Sequence, residues 1–473
     1  MVLLRHGATA WLLAVGISWV SLGTALALLA EVSGGGSISY YLGSWPAPWG
    51  IEYRVDAANA YLALIVSVIA AVVAVYMRRS VAAEVPHERH YLFYAMYALC
   101  LAGLLGITVT GDGFNMFVFF EISSLSTYVL VALGRDRRAL MASYQYLVMG
   151  TIGATFFVIG VGLLYLMTGT LNLADMAARL RDVTEPRPVL AALAFITVGI
   201  SLKLALFPLH LWLPNAYAYA PSAVTAFIAA TATKVSVYVL LRFYYSVFGE
   251  SAVFSALPMG GILLALSLAA IFIASAVAIF QGNVKRMFAY SSVAQIGYIT
   301  LGVSFDSATG LTAGIVHLFN HALTKGGLFL LLGGIALRLG AVRFDAIGGI
   351  GRAMPLTSFG IVLGGLSLIG VPATVGFVSK WYLVLAALER GDWWIAFAVV
   401  ASSLLAVVYV WRFVEAAYFH APDARIAKLR EAPLSMLVPA WLVIAACVYF
   451  GLDTDLTLGG AAAAAGELLR GPR

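Results

Sequence analysis

Residues 200–214 read ISLKLALFPLHLWLP, the end of an apolar run that begins near residue 189. Lys203 stands inside that run and is followed by Pro208, His210 and Pro214. An ammonium at bilayer depth costs about 3 kcal/mol or more, so it is usually kept for a purpose. Each proline removes a backbone donor and frees a carbonyl about one turn upstream, which is tolerated at membrane depth only where protein or cavity water satisfies it. The stretch predicts a broken transmembrane helix with a functional charge beside the break, a pairing that points to an ion path.

Composition agrees with a membrane reading of the whole chain. Hydrophobic residues make up 62% of 473 and charged residues 11%, which is a polytopic membrane protein rather than a soluble enzyme with an anchor. The net charge of +6 comes mostly from basic residues in short loops between apolar runs, so it speaks for lipid topology and not for nucleic acid. Cys100 and Cys447 lie in separate apolar runs with no CxxC, which excludes an iron–sulfur or structural zinc framework. Arg5 and the long apolar run after it, without a small-residue cleavage site, predict a retained first helix.

Runs of about 20 apolar residues predict an all-α polytopic membrane protein of about 13 transmembrane helices. They fall near 10–30, 55–77, 91–109, 113–133, 143–168, 189–212, 220–247, 258–280, 287–304, 308–337, 355–385, 393–419 and 434–450. The segments 31–54, 169–188 and 420–433 are the longest connections, too short for an extramembrane domain, and 169–188 has the charges of an amphipathic surface helix. Assigning loops to alternate sides puts fifteen basic residues, Lys285 among them, on the N-terminal side and eight on the other. That asymmetry predicts a cytoplasmic N-terminus in a cell inner (plasma) membrane. Five basic residues remain inside predicted spans: Lys203, Lys234, Lys325, Lys380 and Arg412. Four are lysines, and a buried lysine can release a proton near neutral pH whereas arginine cannot.

The candidate site residues follow from this pattern. Glu121, among Phe117, Phe119 and Phe120, is the one acidic residue deep in a predicted span, so it must find a cation or take up a proton. The plainer alternative is a permanent Glu–Lys bridge that fixes helix packing. Lys234 lies one predicted helix beyond Lys203, and too far from either end to snorkel easily. His317, His321 and Lys325 stand at i, i+4 and i+8 on one helical face, a row that could pass protons. HxxxH without an intervening glutamate or third ligand is a poor zinc site, and a histidine can also be satisfied by a carbonyl in simple packing. Gly370, Pro372 and Gly376 interrupt the run before Lys380, a second break beside a lysine, as paired halves of an inverted repeat would have. No P-loop, dinucleotide fingerprint, nucleophile elbow, haem or quinone signature is present, so neither a cofactor nor a resident metal is expected.

TGDGFNMFVFFE, KLALFPLHLWLPNAYAYAPS, TATKVSVY, KRMFAYSSVAQIGYI, HLFNHALTKGGLF and GVPATVGFVSKWYL occur in that order between about residues 43 and 420. Together they resemble the antiporter-like subunits shared by respiratory complex I, membrane-bound hydrogenases and Mrp cation/proton antiporters. GSWPAPWGIEYRVDAANAYLAL and the residues after FNMFVFFE are similar to the D-type members of the Mrp branch. The resemblance implies peripheral helices over 1–90, two inverted five-helix repeats over 91–247 and 258–419, each with a broken helix, and a C-terminal helix and tail over 420–473. It also implies roles: Glu121 and Lys203 as the coupling pair, Lys234 as connecting lysine, His317, His321 and Lys325 in a central hydrophilic axis, Lys380 as distal gate. The family usually has fourteen helices with an outside N-terminus, so this chain reads as starting at the second helix, and it lacks the long lateral C-terminal helix of the largest members.

The expectation is a proton-translocating subunit of a multisubunit Na+/proton antiporter, working with other membrane subunits, the lipid bilayer, protons and sodium. Sodium could be held transiently near Asp112 and Asn115. The rival reading is the non-redox, proton-pumping membrane arm of a complex I-like quinone oxidoreductase or hydrogenase. A non-conducting scaffold is the third, and it leaves the buried charges without use.

Overall fold

The computed structural model describes residues 1–2, 5–255 and 257–470; residues 3–4 of the expected N-terminal region and 471–473 of the C-terminal tail lie outside the described residues. Helix α1 (Gly7–Val32) is followed by a hairpin of β1 (Ile38–Tyr41) and β2 (Glu52–Val55), with Ile38 opposite Val55. Then come α2 (Ala57–Glu84), α3 (His90–Val109), α4 (Gly113–Ala132) and α5 (Arg138–Thr168). The amphipathic segment forms the short helix α6 (Leu173–Leu180), begun by the Asn172 cap and carrying an Arg179–Asp175 ion pair of 2.9 Å. Helices α7 (Pro186–Leu204) and α8 (Trp212–Tyr219) are the two parts of the first broken helix, and α9 (Ser222–Ala230) and α10 (Ala232–Leu241) are separated by a further break at Thr231.

The second half begins with α11 (Met259–Ala269) and α12 (Ser275–Ile279), joined by a π-helical turn, then α13 (Val284–Ser304) and α14 (Ala308–Leu339). The short α15 (Ile350–Ala353) precedes α16 (Pro355–Ile369) and α17 (Val375–Glu389), the parts of the second broken helix. Helices α18 (Trp393–Val414), α19 (Leu434–Leu452) and α20 (Asp455–Arg470) complete the chain.

Among the described residues, eleven helices are long and apolar enough to cross a membrane. The other two of the thirteen expected spans are α13, whose Lys285, Arg286 and Gln295 dilute its apolar content, and the interrupted α16–α17 pair. The chain is thus an all-helical, multi-pass membrane protein apart from the hairpin. Helix α14 lies at the centre, buried almost throughout, whereas α1 buries little beyond Ala10, Ala14, Ser18, Ala25 and Val32. Small residues set a close crossing of α5 and α7: a Cβ on Gly199 of α7 would lie 2.6 Å from the Gly153 carbonyl of α5, so only glycine allows that approach.

Two features depart from the expectations. The segment 31–54 contains the hairpin, whose Glu52 is buried and accepts from Ser39 Oγ (2.6 Å) and Asn172 Nδ2 (2.8 Å), tying it to the start of α6. The expected C-terminal tail forms α20, because an alanine-rich run with high helix propensity can lay Thr457, Ala461, Ala464, Ala465 and Leu468 against α2 and α14. Arg412 lies inside α18, as expected, and its side chain reaches the end of α12, where it donates to the carbonyls of Ile279 and Gln281 and covers the Phe344 ring.

One buried ion pair ties the two ends of the first half together. Asp56, the N-cap of α2, accepts from the N–H groups of Ala58 and Asn59 and pairs with Arg242 at 2.8 Å. Asp56→Ala is expected to lower stability by about 3 kcal/mol, because it strands a buried guanidinium. Asp56→Asn is expected to keep the cap and lose less. Thermal unfolding of the purified protein, followed by intrinsic fluorescence, checks the order.

Candidate functional site

The first broken helix shows how its freed backbone is satisfied. Helix α7 ends where Ala205 enters the left-handed region at φ 61°, and the Leu202 carbonyl then accepts from the Trp212 indole N–H at 2.9 Å. The Trp212 ring stacks on Tyr146 with centroids 3.9 Å apart and planes 6° apart, which fixes α8 against α5. Lys203, in the last turn before this break, lies 3.5 Å from Glu121 Oε1 and donates to Ser124 Oγ at 2.8 Å. Its ammonium also sits 5.4 Å from the centre of the Phe120 ring. The two residues expected to pair are therefore brought together by α4 and α7. His210, in the break itself, is buried and stacks on Phe207.

Lys234 follows the break at Thr231, and its ammonium donates to the Ala229 carbonyl that the break leaves free, with Thr233 Oγ1 at 3.4 Å. It is completely buried. Between Lys203 and the Ala232–Ser236 face of α10 lies a cavity with about 20 Å³ open to water centres, lined also by Ser123, Ser124 and Thr127. That is room for a bridging water among polar groups.

On α14 the row of His317, His321 and Lys325 faces inward as the spacing requires, and all three are buried. His317 is held at both ring nitrogens, Nδ1 by Ser379 Oγ (2.8 Å) and Nε2 by Gln295 Oε1 (2.9 Å). Among the described residues no side chain or carbonyl bonds the His321 nitrogens; its ring is 6.4 Å from that of His317 and within electrostatic reach of Lys234 and Lys325. Lys325 donates to the Phe288 carbonyl at 2.8 Å and to Ser291 Oγ. Plain packing accounts for a doubly bonded histidine such as His317.

The second break mirrors the logic of the first. Helix α16 stops at Gly370, with φ +90°, and Lys380 on α17 takes the freed carbonyls of Leu368 (3.0 Å) and Ile369 (2.9 Å) together with Ser403 Oγ (2.9 Å). Its ammonium lies 4.7 Å from the Tyr298 ring centre, and that ring is 5.4 Å from His317. Asn320 donates to the Val375 carbonyl, which anchors the start of α17 to α14.

Asp112 and Asn115 serve α4 as an N-terminal cap: Asp112 Oδ1 accepts the Asn115 N–H at 2.7 Å and Asn115 Nδ2 donates to Thr110 Oγ1 at 3.0 Å. Among the described residues no group of three or more histidine, cysteine or acidic side chains is placed to hold a metal ion. Sequence reading missed Gln295, Ser291 and Tyr298 although they lie inside the quoted KRMFAYSSVAQIGYI. Their signal is the polar content of an otherwise apolar span. It also took Lys285 for a loop residue, whereas the residue is buried.

A multi-pass helical protein with a chain of buried ionisable groups crossing its middle, interrupted helices beside each end, is an ion-translocation type of membrane subunit. Residues 110–406 match the family described as NADH:quinone oxidoreductase/Mrp antiporter, transmembrane, and the chain belongs to that family. It is 43% identical over 444 residues to the N subunit of the NADH-quinone oxidoreductase of Desulforudis audaxviator, covering 91% of this chain and 88% of that protein. It is 30% identical over 417 residues to the D subunit of the Na(+)/H(+) antiporter of Bacillus subtilis, covering 88% and 83%. A chain of the Mrp complex from Dietzia sp. DQ12-45-1b superposes with a TM-score of 0.89 at 25% identity, covering 99% of this chain and 94% of that one.

The Trp212 indole N–H is the donor that closes the first break. Trp212→Phe keeps the stack on Tyr146 but leaves the Leu202 carbonyl with only the long 3.4 Å bond from the Ala205 N–H, at an expected cost of about 1–2 kcal/mol. Trp212→Ala is expected to cost about 3–5 kcal/mol through the added cavity. Thermal unfolding in detergent checks both.

Proposed function

We propose that this chain is the proton-translocating subunit of a hetero-oligomeric membrane assembly. The observation that carries the reading is the buried Glu121–Lys203 pair at 3.5 Å, followed by Lys234, the α14 row and Lys380, each ammonium held by hydroxyls or break-freed carbonyls. Such partners hold an ammonium without fixing it: they accept from the protonated form, and the hydroxyls can also donate to the neutral one. In this reading Glu121 and Lys203 are the coupling pair, and their approach or separation sets how readily Lys203 gives up its proton. Lys234 passes charge between the halves, His317, His321 and Lys325 form the central axis, and Lys380 is the distal gate. The segments 91–247 and 258–419 act as inverted repeats, and the side carrying Arg78 and Arg135 faces the cytoplasm of a cell whose inner membrane holds the assembly.

Two couplings fit this core. A redox-driven arm, with electron-carrying subunits elsewhere in the assembly, is favoured by the 43% identity to the N subunit of a quinone oxidoreductase. Sodium/proton antiport is favoured by the close superposition on a chain of an Mrp complex. Native purification followed by mass identification of the co-purifying subunits separates them: iron–sulfur, flavin or nickel proteins support the first, small hydrophobic subunits alone the second.

For the core itself, Glu121→Gln and Lys203→Ala are expected to lower proton translocation by about a hundredfold in proteoliposomes of the assembly, read by an entrapped pH dye. Retained translocation in both variants would falsify the relay and leave a scaffold. Lys203→Arg is expected to be as inactive as Lys203→Ala, since guanidinium keeps its proton.

A further inference from the structure

Lys285 takes no part in the row described above, yet it is as buried as Lys203 and Lys380. With it, five of the chain's six lysines are buried. Lys285 lies in the first turn of α13, at the end of the helix bundle that carries Arg78 and Arg135. Its ammonium donates to Ser222 Oγ at 2.8 Å. Ser222 is the first residue of α9, and its hydroxyl and N–H both donate to Glu84 Oε2, at 3.0 and 2.9 Å. Glu84 is the last residue of α2, and its other oxygen accepts from Ser80 Oγ at 2.7 Å. The three groups form a carboxylate–hydroxyl–ammonium line that joins three helices.

The line opens outward and points inward. Glu84 lines a cavity with about 230 Å³ open to water centres, bounded by Arg135, Asp136, Tyr219 and Pro221. Arg138, and more weakly Lys285 itself, hold the Asp136 carboxyl below the usual carboxylate range, so Asp136 stands at the mouth as a carboxylate paired with Arg138 at 2.7 Å, beside Arg135. On the inner side, Ser291 and the Phe288 carbonyl that hold Lys325 stand on the same helix as Lys285, three to six residues on, a rise of about 5–9 Å. Tyr76 adds a hydroxyl beside Ser222: a Cβ on Gly333 would overlap Tyr76 Oη and lie 3.2 Å from Ser222 Oγ.

We propose that Glu84, Ser222 and Lys285 form a proton-loading station on the N-terminal side, feeding the axis at Lys325. The proposal rests on the proton-translocation reading and adds an inlet separate from the Glu121–Lys203 pair. When Lys285 is neutral, a proton taken from cavity water onto Glu84 passes to Ser222 Oγ as the hydroxyl's own proton moves to Lys285 Nζ. Glu84 returns to carboxylate and Lys285 becomes ammonium, so one proton has moved and no other bond has changed. Lys285 then releases that proton towards Lys325 through water. The charged and titratable groups facing the station are Arg135 and Asp136 from the loop before α5, Tyr219 at the end of α8 and Tyr76 on α2.

A merely structural role, in which Glu84 caps α9 and Lys285 ties α13 to it, makes a different forecast for conservative variants. Lys285→Arg keeps the charge and the donor but cannot release its proton, and Glu84→Gln keeps an acceptor without titrating. In the native assembly reconstituted into proteoliposomes, with assembly checked by size exclusion, both variants are expected to assemble and to lose about a hundredfold in proton flux under an imposed gradient. Assembled variants with wild-type flux and an unchanged pH profile overturn the proposal. If either variant does not assemble, Ser222→Ala, which leaves both charges in place, is read instead: a large loss of flux supports the station and a wild-type rate overturns it. Glu121→Gln is measured alongside. An inactive Glu121→Gln with an active Lys285→Arg removes only the inlet, while wild-type flux in both removes the translocation reading itself.

Discussion

A buried ammonium has to be hydrogen-bonded, and in this protein the partners are mostly not carboxylates. Among the described residues only Glu121 approaches one of the four lysines of the central row, and at 3.5 Å it is not a tight ion pair. The others are held by groups with no net charge: Ala229 for Lys234, Phe288 and Ser291 for Lys325, Leu368, Ile369 and Ser403 for Lys380. An ammonium held by dipoles keeps a high desolvation cost, which leaves its protonation state sensitive to any nearby change of charge.

The helix breaks follow from the same constraint. A carbonyl freed at membrane depth needs a donor, and a buried ammonium needs acceptors, so the two demands meet at Ala229 and at Leu368–Ile369. The first break uses a neutral donor, Trp212, for its Leu202 carbonyl, which leaves Lys203 available to Glu121 and Ser124. That difference between the breaks places the one lysine with an acidic partner at one end of the row and the carbonyl-held Lys380 at the other. His321, whose ring is 6.4 Å from that of His317, lies near the middle.

Much of this was legible from residue types alone. Lys203, Lys234, Lys325, Lys380 and Glu121 stand out because charge inside a long apolar run has few explanations, and Pro208 and Gly370–Pro372 mark two breaks. The break at Thr231 was not legible, since no proline or glycine marks it. It arises where Thr231 takes φ −124° and ψ −57° and bonds its hydroxyl back to Phe227. Lys285 was hidden by its neighbour: beside Arg286 in an Asn-Val-Lys-Arg run it has the look of a loop charge, and only the packing of α2 and α9 over it encloses the side chain. The hairpin and α20 were missed because neither carries the 20-residue apolar signature on which membrane spans are read.

The sequence by itself determined the membrane class, the long apolar helices, two of the breaks and where ionisable residues fall within them, because burial of apolar length and the cost of intramembrane charge act on each segment separately. Tertiary structure decided which charge meets which partner. Glu121 and Lys203 are 82 positions apart, His317 and Ser379 62, and Glu84 and Ser222 138. Those meetings depend on helix crossings such as Gly153 on Gly199, where the approach of two backbones, and not the identity of either residue alone, sets the distance.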